Sequence, residues 1–99
     1  MTKIKQFVES IDEELKDAKE YAEKYVEYKA FNNPNWATKY KEMALDELKH
    51  ATYIHDKAVE TIEELQKIYT PPVAMQEKWD KSHAEYVERV ALIRQMLAL

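Results

Sequence analysis

The 99-residue chain contains no glycine, and its three prolines fall at only two places, Pro34 and the pair Pro71-Pro72. Glycine and proline are the strongest interrupters of a regular backbone, so a sequence that confines them this tightly has two places to turn. The remaining residues are dominated by Ala, Leu, Glu, Lys and other good helix formers. An all-α fold follows, with three long antiparallel helices running up-down-up as one domain over residues 1–99. The expected limits are about Lys3 to Ala30, Pro34 to Tyr69, and Pro72 or later to Leu97.

The two breaks differ in how firmly they set those limits. At the first, Asn33 is suited to cap a helix and Pro34 to occupy its first position, where the missing N–H is no loss. At the second, Thr70 is expected to cap a helix opened by Pro71, but Val73 to Gln76 read equally well as an extended segment.

Composition narrows the function classes. Without cysteine there is no disulfide framework, thiolate metal site or thiol nucleophile, which suits a cytoplasmic protein and leaves only oxygen and imidazole ligands for any metal. The 19 acidic and 15 basic residues are intermixed, giving a formal charge of -4 and no basic stripe for nucleic acid. No apolar run approaches bilayer-spanning length, so neither nucleic acid nor membrane is an expected partner. There is no Ser/His/Asp arrangement and no phosphate-cradling glycine loop. A single small domain buries a modest share of its surface alone, so association with further copies, as a dimer or higher, is expected.

Placing residues at about 100° intervals sorts each helix into a wet side and a core side. Ile4, Phe7, Ile11, Leu15, Ala18, Tyr21, Ala22 and Tyr25 share one arc of the first helix. Trp36, Tyr40, Met43, Ala44, Ala51, Ile54, Ala58, Ile62, Leu65 and Tyr69 form the stripe of the second. Trp79, Tyr86, Val90, Ile93 and Leu97 form that of the third. Of fourteen Glu, twelve fall outside these arcs. The exceptions are Glu14, within the first arc, and Glu47, placed near the centre of the second with His50 at its edge.

An ionised carboxylate on an apolar face needs a proton or a cation. If the chain reverses at Asn32 to Pro34, a rise of about 1.5 Å per residue puts Glu14 about 25 to 30 Å from the turn and Glu47 to His50 about 18 to 24 Å, which is nearly the same depth. Residues at i and i+3 share a helix face, so Glu47 and His50 can address one ion while Glu14 approaches from the facing helix. Carboxylate oxygen with imidazole nitrogen suits iron, manganese or zinc better than calcium. The Glu-x-x-His spacing alone is weak, since fourteen Glu and three His make such a pair common by chance.

Glu14 with Tyr21 seven residues on, followed by Glu47-x-x-His50 on the next helix, resembles one half of the ferritin-like di-iron carboxylate proteins, in which two such halves surround a pair of metals. The stretch Asp17-Ala18-Lys19-Glu20-Tyr21-Ala22-Glu23-Lys24-Tyr25 is similar to the first helix of rubrerythrin-type members. The resemblance implies iron binding, with oxidation of ferrous iron or reduction of a peroxide as the associated chemistry. It covers about Asp12 to Ile62. The second Glu helix and second Glu-x-x-His helix of a complete single-chain member are missing. Asp80-x-x-His83 is a poor substitute, because Asp80 points away from the Trp79 and Tyr86 stripe. Two copies can supply both halves, as in the shortened encapsulated ferritins to which the chain is similar, with Glu14, Glu47 and His50 of each facing across a two-fold axis.

Several assignments stay open at this level. His83 is a metal ligand if the third helix starts late, and otherwise a hydrogen-bonded residue of the core edge. His55, at the margin of the second stripe, reads as structural or interfacial. Tyr21 is the tyrosine placed to support Glu14. Leu92, Met96 and Leu99 form a second apolar patch suited to a subunit contact. The leading expectation is a ferritin-like metal-binding protein using Glu14, Glu47 and His50, with ferroxidase or oxidoreductase activity left open. The alternative is a metal-free helical bundle that serves self-association or partner binding, its two carboxylates held in a polar network.

Overall fold

The computed structural model describes residues 2–99 and is all-helical, with α1 at Thr2–Ala30, α2 at Pro34–Ile68 and α3 at Val73–Leu97. The molecule is 55 Å long and 18 by 17 Å across. Its length is thus that of α2, whose 35 residues at about 1.5 Å each nearly span it. No described helix is long and apolar enough to cross a membrane.

The turn between α1 and α2 is built from asparagine in place of glycine. Asn32 takes the left-handed conformation, with φ at 57°. Its N–H donates to Lys29 O at 3.1 Å, and that of Asn33 donates to Tyr28 O at 2.9 Å. This is a Schellman closure of α1, and asparagine tolerates the left-handed position better than any other residue that carries a side chain. Asn33 then serves α2, its side-chain oxygen accepting from Trp36 N at 3.3 Å, with Pro34 at the first helical position as expected. Three consecutive residues therefore end one helix and begin the next, and this fixes which residues of α1 and α2 lie side by side.

Contacts run in opposite order along those helices. Tyr28 and Tyr21 both meet Tyr40, at 5.5 and 6.2 Å between ring centroids, while the earlier Glu14 meets the later Glu47 and His50. Ala18, Ala22, Ala44, Ala51 and Ala58 are completely buried along this seam, and side chains that short let helix axes approach closely. Ile4, Ile11, Leu15, Tyr25, Ala37, Leu48, Ile62, Met75, Trp79, Ile93 and Leu97 complete the core of the described residues.

The stripe of α2 is rotated from the expected one. Its buried residues are Ala37, Ala44, Leu48, Ala51, Ala58 and Ile62, whereas Trp36 and Met43 are exposed. Two large apolar side chains drew the expected arc toward themselves, while the small Ala37 and the neighbouring Leu48 do the packing. Glu47 consequently borders the arc and does not sit at its centre.

The second break also departs from expectation. Pro72, not Thr70, occupies the position before α3, no side chain caps the helix, and Val73 to Gln76 are helical. Met75 thereby enters the core. Of the expected apolar patch on α3, Leu92 and Leu99 are exposed, but Met96 packs against the core.

Candidate metal centre

Glu14 comes from the middle of α1, and Glu47 and His50 are one turn apart on α2. His50 Nδ1 lies 3.6 Å from Glu14 Oε2 and 3.9 Å from Glu47 Oε1. One ligand atom from each of the three residues falls within 4.8 Å of the others. The other twelve glutamates are all exposed, as the helical pattern predicts.

The two carboxylates are half-buried, with side-chain exposures of 28% for Glu14 and 21% for Glu47, and His50 is open to solvent. Glu14 Oε2 is closed to solvent yet receives no hydrogen bond among the described residues. A buried oxygen without a donor is disfavoured by the full loss of its hydration. Glu47 responds to the same crowding, its carboxyl pushed up from 4.5 to about 7. Hydrogen bonding with the Glu14 side chain is the main cause, followed by burial and by the Glu14 charge; His50 opposes the shift and Asp17 adds slightly to it. Near neutral pH the pair therefore holds a proton that a cation can replace.

The donor set fits a transition metal. Bonds of about 2.0–2.2 Å place the ligand atoms of one tetrahedral ion about 3.4 Å from each other, so the three side chains must draw together from a spread of 4.8 Å on binding. Two carboxylates also have oxygens enough to bridge a pair of ions. Glu14, Glu47 and His50 account for three ligands, fewer than a closed structural or di-metal site requires.

The position of α3 shows which side of the site is free. α3 is tied to α1 by Arg89, whose Nη1 donates to Asp12 Oδ1 at 2.6 Å, and to α2 by Tyr86, whose hydroxyl lies 3.1 Å from Thr52 Oγ1. Asp12 precedes Glu14 by two residues, and Thr52 follows His50 by two. At about 100° per residue each pair points to sides of its helix about 160° apart. The three candidate ligands therefore face away from α3, on the open side of the α1–α2 hairpin, beside the ring cluster of Tyr21, Tyr28, Trp36 and Tyr40.

His83 is not part of this group. Its Nδ1 sits 2.8 Å from His55 Nε2, about a turn and a half along α2 from His50. That is the placement expected when α3 begins directly after the prolines. Tyr21 lies on the site's side of α1, where its ring rests against Tyr40. The closeness of His55 and His83 went unforeseen, since it depends on where α3 starts. Their common place at the edges of facing apolar stripes was the available signal.

The chain matches no known family, no curated protein and no solved structure in comparison.

Proposed function

We propose that this chain is a ferritin-like metal-binding protein, in which Glu14 and Glu47-x-x-His50 form half of a di-iron type site. The carrying observation is the meeting of Glu14, Glu47 and His50 from two helices within 4.8 Å, with Glu14 Oε2 buried and without a hydrogen-bond donor among the described residues. The chain then forms an up-down-up half bundle whose open side is covered by a second copy. That copy brings its own Glu14, Glu47 and His50 and removes the exposed Trp36 and Met43 from water. Iron is the favoured ion, with manganese or zinc as the alternatives that the same donors accept.

A bound iron pair supplies ferrous oxidation or peroxide reduction. The protein's share is the arrangement around it. Glu14 and Glu47 offset the positive charge and hold it between two helices, and His50 gives a neutral nitrogen on the solvent side. Glu47 would hold the cation as a carboxylate, in place of its proton. The aromatic cluster of Tyr21, Tyr28 and Tyr40 lies on the same open side of the hairpin, toward the α1–α2 turn.

One observation favours a second reading, a metal-free module for self-association. With its carboxyl at about 7, Glu47 can share a proton with Glu14 and satisfy the pair without metal. Metal content separates the two. After reloading with iron and removal of excess, mass spectrometry should find metal on the His83→Ala protein and a loss of most of it on adding Glu47→Ala. Iron, manganese and zinc all at trace level in the first protein would overturn the metal reading. Light scattering should show a dimer.

A further inference from the structure

The seam between α2 and α3 holds a second group of side chains with ligand chemistry. His55 Nε2 and His83 Nδ1 face each other at 2.8 Å. The His55 ring is stacked on Tyr86, with centroids 4.4 Å apart and planes 8° from parallel, and Trp79 covers it at 5.5 Å. His55 is thus held, its side chain only 13% exposed, while His83 is exposed and able to reorient.

The tautomers follow from the neighbours. Nδ1 of His55 lies 3.6 Å from Asp56 Oδ1, and a carboxylate there favours the proton on Nδ1. Nε2 of His55 then carries a lone pair, so the hydrogen joining the two rings belongs to His83 Nδ1. Metal-bound histidines commonly donate their outer N–H to a carboxylate, and Asp56 stands on that side of His55 at 3.6 Å, just beyond hydrogen-bond distance.

We propose that His55 and His83 bind a divalent d-block cation, copper(II) or zinc, at a site separate from Glu14, Glu47 and His50. Neither ring needs a net change of charge for this. With His83 in the tautomer protonated at Nε2, both facing nitrogens present lone pairs to the ion, and water completes the shell. With metal bonds of about 2.0–2.1 Å, two nitrogens at adjacent positions of one ion stand about 3 Å apart, so the pair opens by a few tenths of an ångström as His83 tilts. The bound ion joins α3 to α2 across a seam that also holds ring contacts and the Thr52–Tyr86 and Gln66–Gln76 hydrogen bonds. The proposal is independent of the ferritin-like reading and stands if that one fails.

Trp79 provides a local reporter, with its ring centroid 5.5 Å from His55 and 6.3 Å from His83. In a Trp36→Phe background it is the sole tryptophan. Copper(II) titrated into that protein near neutral pH should quench its fluorescence, saturating at one equivalent, and zinc should reverse the quenching by competition. Adding His83→Ala should weaken the quenching at least tenfold, whereas adding Glu47→Ala and His50→Ala should leave it in place. His83 is exposed, so its removal leaves the core intact, and an unchanged circular dichroism spectrum checks this. As a second readout, zinc should raise the Tm of the Trp36→Phe protein that also carries Glu47→Ala and His50→Ala, and adding His83→Ala should abolish that rise. Quenching of equal strength without His83, or none below millimolar copper, would overturn the proposal.

Discussion

Glu14 and His50 meet across the α1–α2 seam, with Oε2 of the first 3.6 Å from Nδ1 of the second. The contact joins the middle of one helix to the middle of the next, and the oxygen it involves has no hydrogen-bond donor among the described residues. If a cation takes that role, it stabilises the folded chain by its binding energy. A ligand at a hundred times its dissociation constant adds about 2.7 kcal/mol, which in a chain of this size is a Tm increase of about 10 °C or more. In a His83→Ala background, chelation should remove that increase from metal-loaded protein and leave the chain that also carries Glu14→Gln and Glu47→Gln almost unmoved. Identical melting curves with and without chelator in the unmodified protein would assign the pair a purely structural role.

The carboxyl of Glu47 makes the metal-free protein's stability depend on pH with a definite sign. Its value of about 7 in the folded chain exceeds 4.5 in the unfolded one, so between those limits the folded state holds a proton that the unfolded state has released. Stability then falls as pH rises through this window and levels off above it. The difference in Tm between the metal-free wild type and Glu47→Gln should therefore grow in favour of the variant from pH 5 to pH 8. A constant difference would show that Glu47 ionises as freely in the folded chain as in the unfolded one.

The turn can be tested by itself. Asn33→Ala removes the bond to Trp36 N and should lower stability by about 1 kcal/mol in denaturant melts. Asn32→Gly relieves a side chain held at positive φ and should be neutral or slightly stabilising, while Asn32→Val should be the most damaging of the three. If Asn32→Gly proved as harmful as Asn32→Val, the left-handed position would not be what limits the choice of residue there.

If copies associate as proposed, two apolar surfaces compete as the contact. Met43 lies on α2 one turn before Glu47, on the side that α3 leaves open, and Leu92 is exposed on α3. In sedimentation or light scattering, Met43→Glu should give a monomer with reduced metal content and a nearly unchanged helical spectrum. Leu92→Glu should stay associated. The reverse pattern would move the contact to α3 and leave the candidate site half-built.

The register of the hairpin was legible because one turn with two asparagines and a proline leaves little freedom, and Glu14 and Glu47 come to the same depth as the rise per residue requires. The exposure of the other twelve glutamates followed from periodicity as well. Angular placement was less legible. Trp36 and Met43 are large enough to dominate a hydrophobic pattern, yet Ala37 and Leu48 are the residues that pack, because close helix approach favours the small side chain and displaces the large one to the margin. The side on which α3 docks depends on contacts such as Asp12 with Arg89 and Thr52 with Tyr86, between residues far apart in sequence. No single-helix pattern contains that information, and with it was hidden the fact that the candidate ligands face the uncovered side.

The fully buried alanines between α1 and α2 have one more effect. Where alanines pack between them the two helices have little further room to close, so that part of the seam works as a caliper near its stop. If the site binds metal, ions of different radius would be accommodated chiefly by the reach of the two glutamate side chains. Selection among metals at Glu14, Glu47 and His50 would then lie in side-chain extension, and lengthening Ala44 or Ala51 would change which ion fits without touching a ligand.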